Sequence, residues 1–264
     1  MSQFFAERGP GELGLAVFLN AGDPPLDELK DLVLLLDAFG VDCLELAVPF
    51  PNSASDGPVI RRSARRALAE GVDLSAVLAF VEAVRPRLSR LKIALLADWS
   101  HTVKGMPLGD FLGRVRSAGA DGLLVHGVPP RVRPAYHEAA HLAGQPIVTT
   151  CYASSEDRVL DQAARHGSAY VYLVARYGRT GGSAPPDPRA LAPVMLALRS
   201  RSEAPIAVGF GVKGHSDLEV LREAGADAAI VGSAFVSCVE RAVAGSGDIV
   251  GEVERFLGGL GRFG

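Results

Sequence analysis

The chain has 264 residues, of which 48% are hydrophobic and 22% charged, so it can bury a core as large as one α/β barrel or two smaller domains. A formal net charge of -3, an isoelectric point near 6.1 and the lack of a long Lys/Arg run argue against nucleic-acid or membrane-surface partners and indicate a small-molecule ligand. The three widely spaced cysteines, Cys43, Cys151 and Cys238, argue against a disulfide framework or a zinc site and predict buried thiols.

The first residues form a short amphipathic segment without a basic region followed by an apolar core, and no apolar segment reaches about 18 residues. We therefore expect a cytoplasmic protein. A buried strand follows at 15–19 and ends at a cluster of turn-forming residues. The segment 26–39 then places its apolar side chains on one helical face, and Gly40 ends that helix.

One short phrase, a helix end and a glycine followed by a buried strand, recurs four times along the chain. It occurs at 38–42, 117–121, 165–168 and 223–227. In each copy we expect the glycine to adopt a positive φ after the helix. The regular recurrence of this pattern predicts a repeated unit in which a helix is followed by a strand.

Eight strands result when the segments between these repeats are added. The predicted strands are 15–19, 43–48, 91–97, 122–125, 146–150, 169–174, 205–210 and 228–232. Helical spacing occurs near 26–39, 60–90, 108–118, 131–143, 155–166, 187–201 and 215–224. This alternation predicts an α/β fold, a single (β/α)8 TIM barrel that spans residues 1–264. An open doubly wound sheet is the alternative, but its G-x-G-x-x-G loop is missing after the first strand.

Two carboxylates are the candidates for chemistry. Glu45 lies within the apolar second strand, and Asp56 follows in a loop rich in Pro, Ser, Asn and Gly. The carboxyl ends of barrel strands and the loops after them form the active site, so both side chains can face one substrate. Two structural alternatives remain: Glu45 as a core residue, neutralised by burial or paired with an Arg, and Asp56 as a turn residue.

Glycines mark a predicted phosphate site at the last two strand ends. Gly209-Phe210-Gly211 ends strand seven and Gly232-Ser233 ends strand eight, where barrels often bind phosphate through backbone N–H groups and a hydroxyl. The alternative is that these glycines only form tight turns. The segment 176–183 is glycine-rich and is predicted to be a loop that covers the substrate.

Taken together, these motifs resemble the tryptophan synthase α subunit family over nearly the whole chain. They are Phe18, Gly22-Asp23-Pro24, Leu44-Glu45-Leu46 with Pro49-Phe50, Asp56-Gly57-Pro58, Tyr170-Val171-Tyr172-Leu173 with Thr180-Gly181, Gly209-Phe210-Gly211 and Gly232-Ser233-Ala234. The resemblance implies retro-aldol cleavage of indole-3-glycerol phosphate to indole and glyceraldehyde 3-phosphate. It implies no cofactor and no metal.

The resemblance also assigns roles. Glu45 looks like the glutamate that moves protons between the glycerol hydroxyl and indole C3, and Asp56 like the aspartate that bonds the indole N–H. Tyr172 resembles a tyrosine near the glutamate, and Phe18 would border the ring. The remaining implied substrate contacts are a lid pair and phosphate ligands: Thr180, Gly181, Gly211, Gly232 and Ser233.

The sequence departs from the family at the rim of the site. Asn52 and Ser53 replace the usual Asp-Pro of a loop through which the family communicates with a β subunit. Further changes follow strand three at 98–101 and strand four at 126–129. Asp98 and His126 are expected to pair across adjacent strands as a structural swap, and the alternative is a new catalytic role for them. These changes favour a lyase that works alone and depends less on a tryptophan synthase β subunit.

Two other functions compete. A phosphosugar isomerase of the same barrel type would share the glycine motifs, but strands one and five offer no acid or base near their ends except Asp23. A catalytically weak protein that binds a phosphorylated ligand and regulates a β subunit is the other, and the retention of Glu45 and Asp56 argues against it.

Overall fold

The computed structural model describes residues 4–5, 12–175, 188–209, 211–245 and 248–261. Its eight strands form one parallel sheet in the order β4-β3-β2-β1-β8-β7-β6-β5. They are β1 (Gly14–Asn20), β2 (Cys43–Ala47), β3 (Lys92–Asp98), β4 (Gly122–His126), β5 (Val148–Tyr152), β6 (Tyr170–Val174), β7 (Ile206–Gly209) and β8 (Ala228–Val231). The two edges meet at a parallel bridge between Leu123 and Ile147, and the Leu123 N–H donates to the Pro146 carbonyl at 2.9 Å. The predicted (β/α)8 barrel is confirmed, and the open doubly wound alternative is wrong.

Helices alternate with the strands. They are α1 (Leu26–Ala38), α2 (Pro58–Ala69), α3 (Leu74–Val84), α4 (Leu108–Ser117), α5 (Arg133–Leu142), α6 (Asp157–His166), α7 (Pro188–Arg199), α8 (His215–Glu223), α9 (Ser233–Ala244) and α10 (Ile249–Leu260). The helical segment expected near 60–90 is two helices because Gly71 takes a φ of +74° and Asp73 caps α3 through the Ala76 N–H. The sequence reading also missed α9 and α10, which follow the last strand.

The four repeated phrases have a common structural role. Asp42, Asp121 and Asp227 precede β2, β4 and β8, and each carboxylate accepts the backbone N–H of a residue on the strand before, Leu15, Ile93 and Ile206 respectively. Ser168 precedes β6, and its hydroxyl accepts the Ile147 N–H at 2.9 Å. Each acceptor therefore fixes the start of an even strand against the preceding odd strand.

The glycines of these phrases do not all have the same role. Gly40, Gly119 and Gly225 adopt the expected positive φ, at 83°, 87° and 80°. Gly167 has a φ of -73°, which corrects the expectation for that copy. A Cβ at Gly167 would lie 2.7 Å from Thr149 Oγ1 and 3.0 Å from the Ala163 carbonyl, so close packing of helix against strand requires glycine there.

Large aromatic side chains fill the N-terminal half of the barrel interior. The rings of Phe4 and Phe5 pack on Tyr170, with centroids 5.1 and 5.3 Å from it. The inward positions around them are small and include Ala16, Cys43, Ala94, Ala207 and Ala228. The aromatic plug occupies the volume that these small side chains leave, and the opposite half of the barrel remains open for a ligand.

The described residues contain no helix with the length and apolarity needed to cross a bilayer. Cys43, Cys151 and Cys238 are free and buried, as expected.

Candidate active site

A cavity of about 190 Å³ opens at the carboxyl ends of the strands. Six of the predicted site residues line it, and they come from β1, β2, β6, the loop after β2 and the turn from β8 into α9. Its lining includes Phe18, Glu45, Asp56, Tyr172, Gly232 and Ser233. Residues as far apart in sequence as Phe18 and Ser233 therefore surround one volume, as the barrel topology predicts.

Glu45 lies inside the barrel, where its side chain is 1% exposed. The Tyr170 hydroxyl donates a hydrogen bond of 2.6 Å to Glu45 Oε1. Burial raises the pKa of Glu45 to about 7, and the hydrogen bond from Tyr170 opposes that rise. The carboxyl group therefore changes protonation state near neutral pH, which suits a group that both donates and accepts a proton. Pairing with an Arg, the structural alternative, is wrong, since its hydrogen-bond partner is a tyrosine.

Asp56 lies at the entrance of the same cavity, two residues before α2, and is partly exposed. Tyr172 lies deeper, and its hydroxyl approaches Gly209 so closely that a Cβ there would be 2.6 Å from it. Burial raises the pKa of Tyr172, and the charges of Glu45 and Asp56 raise it further. Tyr172 therefore stays neutral, and its hydroxyl is available as a hydrogen-bonding group in the cavity that both carboxylates line.

The predicted phosphate end lies across the cavity. Ser233 is the first residue of α9, Gly232 precedes it, and no side chain of the described part caps this helix end. Free N–H groups at a helix start, together with a hydroxyl, can bind an anion. Gly211 follows β7 with a φ of +89°, a conformation that favours glycine, although it is not among the residues that line the cavity.

Several predicted features lie outside the described residues. They are Phe210, Thr180, Gly181 and the rest of the loop 176–183.

Asp98 and His126 are register partners on β3 and β4, but the expected pairing of their side chains is wrong. Asp98 Oδ1 instead accepts from the His101 backbone N–H at 2.9 Å and contacts His101 Nδ1 at 2.6 Å. The short helical turn Trp99–Val103 brings His101 back over the strand end, where its ring stacks on Phe50 with centroids 5.4 Å apart. His126 is thereby left directed to the cavity, which it lines.

An ion network connects the elements on either side of the cavity. Arg66 of α2 forms a bidentate pair with Asp23 at 2.7 and 2.8 Å and also donates to Glu240 of α9 at 2.7 Å. Arg62 of α2 binds Glu240 as well, and these guanidinium groups, Arg62 first, lower the pKa of Glu240 to about 2. The network therefore holds α2, which follows Asp56, against α9, which begins at Ser233.

Sequence reasoning missed three residues that line the cavity and one that contacts Glu45 from below it. Asn20 ends β1, Thr150 and Tyr152 end β5, and Tyr170 contacts Glu45 directly. The alternation of side chains along a strand could have identified Tyr170, because it lies two residues before Tyr172 on β6 and so faces the same barrel interior.

Comparison with known proteins agrees with this geometry. The family model described as "Tryptophan synthase alpha chain" matches residues 4–260. A tryptophan synthase alpha chain from Burkholderia mallei is 36% identical over 241 residues, which cover 91% of this chain and 88% of the relative. Another from Burkholderia cenocepacia is 33% identical over 265 residues and covers 98% and 96%.

Solved structures show the same similarity. A structure titled as the basis of mutual activation of the tryptophan synthase a2b2 complex from Pyrococcus furiosus superimposes with a TM-score of 0.82. It is 26% identical, and the match covers 94% of this chain and 97% of that chain. A tryptophan synthase subunit alpha from Legionella pneumophila, at 24% identity and a TM-score of 0.82, shares the fold.

Proposed function

The chain belongs to the tryptophan synthase alpha chain family, and on that premise we propose that Glu45 and Asp56 divide the chemistry of one carbon–carbon cleavage. The protein is a carbon–carbon lyase that cleaves indole-3-glycerol phosphate to indole and glyceraldehyde 3-phosphate. The observation that carries the residue assignment is the single cavity that both carboxylates line.

Glu45 is the proton carrier. Protonated Glu45 gives its proton to indole C3, and the carboxylate then removes the proton of the hydroxyl on the carbon attached to C3. The C3–carbon bond breaks, its electron pair returns to the ring, and the hydroxyl carbon becomes the aldehyde. One proton leaves Glu45 and one returns, which a group with a pKa of about 7 can do without help from solvent.

Asp56 stabilises the charge that this sequence creates. Protonation at C3 places positive charge on the ring nitrogen, and a carboxylate that accepts the ring N–H lowers the energy of that cation. Asp56 lies at the cavity entrance and is partly exposed, whereas Glu45 is buried, so the two carboxyl groups have the different environments that separate roles require.

The phosphate would be bound at the start of α9. Gly232, Ser233 and the glycine turn at Gly211 supply backbone N–H groups and one hydroxyl. Phe18 and Tyr172 line the space between this end and the carboxylates.

The test is steady-state release of indole from indole-3-glycerol phosphate by the purified chain. Glu45→Gln keeps the size of the side chain and removes its proton chemistry, so we expect activity to fall at least a thousandfold. Glu82→Gln is the control, because it makes the same change at an exposed carboxylate of α3 that does not line the cavity. Substantial indole release by Glu45→Gln would refute the assignment.

The family forms complexes with a tryptophan synthase β subunit. We propose that this chain acts in the cytoplasm. We also propose that it releases indole without a β subunit, because Asn52 and Ser53 alter the loop through which the family communicates with that subunit. Asn52 takes a φ of 58°, a conformation that asparagine tolerates. Indole release measured with and without a β subunit tests this, and strict dependence on the β subunit would refute it.

A further inference from the structure

Polar side chains line one wall of the cavity that the proposed mechanism does not use. His126 ends β4, and Thr150 and Tyr152 lie at the end of β5. They alternate with Leu96, Leu124 and Val174, which form the apolar part of the same wall. An indole ring without substituents has only its N–H to hydrogen-bond, and Asp56 accounts for that group.

The position of this wall relates it to the six-membered ring of the substrate. β4 is four strands from β8 in either direction around the barrel, so it lies opposite the phosphate end at Ser233. Glu45, which must reach C3, lies between them on β2. The ring system therefore extends from Glu45 toward the ends of β4 and β5.

We propose that the lyase prefers an indole that carries a hydroxyl group on its six-membered ring, and that His126 and Thr150 hydrogen-bond this hydroxyl. The inference rests on the proposed function of the site. Imidazole and hydroxyl side chains supply both donors and acceptors, which matches a hydroxyl that itself donates and accepts. The described lining contains no Lys or Arg, so the wall offers no counter-charge for a carboxylate substituent.

The reverse reaction tests the preference without synthesis of substituted substrates. Condensation of glyceraldehyde 3-phosphate with indole is compared with that of the four hydroxyindoles substituted on the six-membered ring, and methylindoles serve as controls for size. One neutral hydrogen bond favours a matched ligand by about tenfold, so we expect kcat/KM for one hydroxyindole to exceed that for indole by about this factor.

Matched variants identify the source of the preference. Thr150→Val removes the hydroxyl at constant shape, Thr150→Ser keeps it, and His126→Ala removes the imidazole. We expect Thr150→Val and His126→Ala to reduce the hydroxyindole-to-indole ratio about threefold or more each, and Thr150→Ser to retain it. The proposal is overturned if the wild-type chain prefers indole to every hydroxyindole, or if the ratio survives both substitutions.

A failure of the lyase assignment can be distinguished from a failure of the proposed preference for a hydroxyindole. If neither indole nor hydroxyindole condenses, the lyase assignment fails, and the preference is read from dissociation constants of the same ligands measured by calorimetry. Tighter binding of a hydroxyindole that is lost in His126→Ala supports the proposal, and equal binding of indole and all hydroxyindoles overturns it.

Discussion

Replacement of Tyr170 by Phe isolates the hydrogen bond to Glu45, the proposed proton carrier. The change removes the donor 2.6 Å from Glu45 Oε1 and keeps the ring that packs on Phe4 and Phe5. Because the bond favours the carboxylate, its loss must raise the pKa of Glu45 above about 7. A hydrogen bond to a charged group contributes about 1.5–3 kcal/mol, and 1.36 kcal/mol corresponds to one pKa unit, so the expected rise is about 1 to 2 units.

The assay is the pH dependence of kcat/KM for indole release, combined with carbon NMR of labelled glutamate to identify the Glu45 carboxyl group. The inflection due to Glu45 is expected near pH 7 in the natural chain and about 1 to 2 units higher in Tyr170→Phe. Tyr172→Phe is the control, since it removes a second hydroxyl from the same strand and cavity without removing the Tyr170 bond.

Stability gives a second measurement of the same interaction. Only the carboxylate form of Glu45 depends strongly on the bond, so Tyr170→Phe should lower the free energy of unfolding by more at pH 10 than at pH 5. The difference should be about 1.4–2.7 kcal/mol, the same quantity as the pKa rise. An inflection that stays at pH 7 or moves down in Tyr170→Phe would refute the argument.

Three further predictions concern other parts of the chain. Asp56→Asn should lower kcat about 10²–10³-fold in the indole-release assay, because the amide cannot neutralise the ring cation, and a loss under tenfold would contradict that role. Phe4→Ala should lower the free energy of unfolding in urea by about 3–5 kcal/mol because it leaves a hole in the aromatic plug, whereas Phe4→Leu should cost much less. Burial, and then the charge of the neighbouring His166, lowers the pKa of His137 to about 4. As pH falls, His137 is therefore protonated in the unfolded chain at a higher pH than in the folded chain. The stability contribution of neutral His137 is complete above pH 6.5 and is lost as pH falls toward 4, and urea denaturation of His137→Gln should show a flatter pH dependence in this range.

The positions of the strands and of the two candidate carboxylates could be predicted from the sequence because both depend on local pattern. Apolar runs placed all eight strands within about two residues of their observed bounds, and Glu45 stood out as a carboxylate within such a run. Barrel topology then required that the residues after those strands share one end.

Contacts between distant residues could not be predicted in the same way. The bond between Tyr170 and Glu45 joins residues 125 positions apart, and the rings of Phe4 and Phe5 pack on the tyrosine that donates it. Asp98 likewise found its partner three residues away in His101, because the turn after β3 folds back in a way that strand register does not reveal. The Glu45 pKa is a consequence of such packing, so it becomes visible only in the folded chain.

The ion network of Arg66, Asp23 and Glu240 bears on which ligands fit the proposed site. It clamps two helices whose first turns face opposite ends of the ligand, so the span from acid to anion is set by salt bridges remote from the chemistry. On the proposed binding mode, we expect a ligand one carbon shorter or longer between its ring and its phosphate to be cleaved more slowly, because it cannot reach both ends at once. On this view, the rigid contact between α2 and α9 selects the length of the ligand at the binding step.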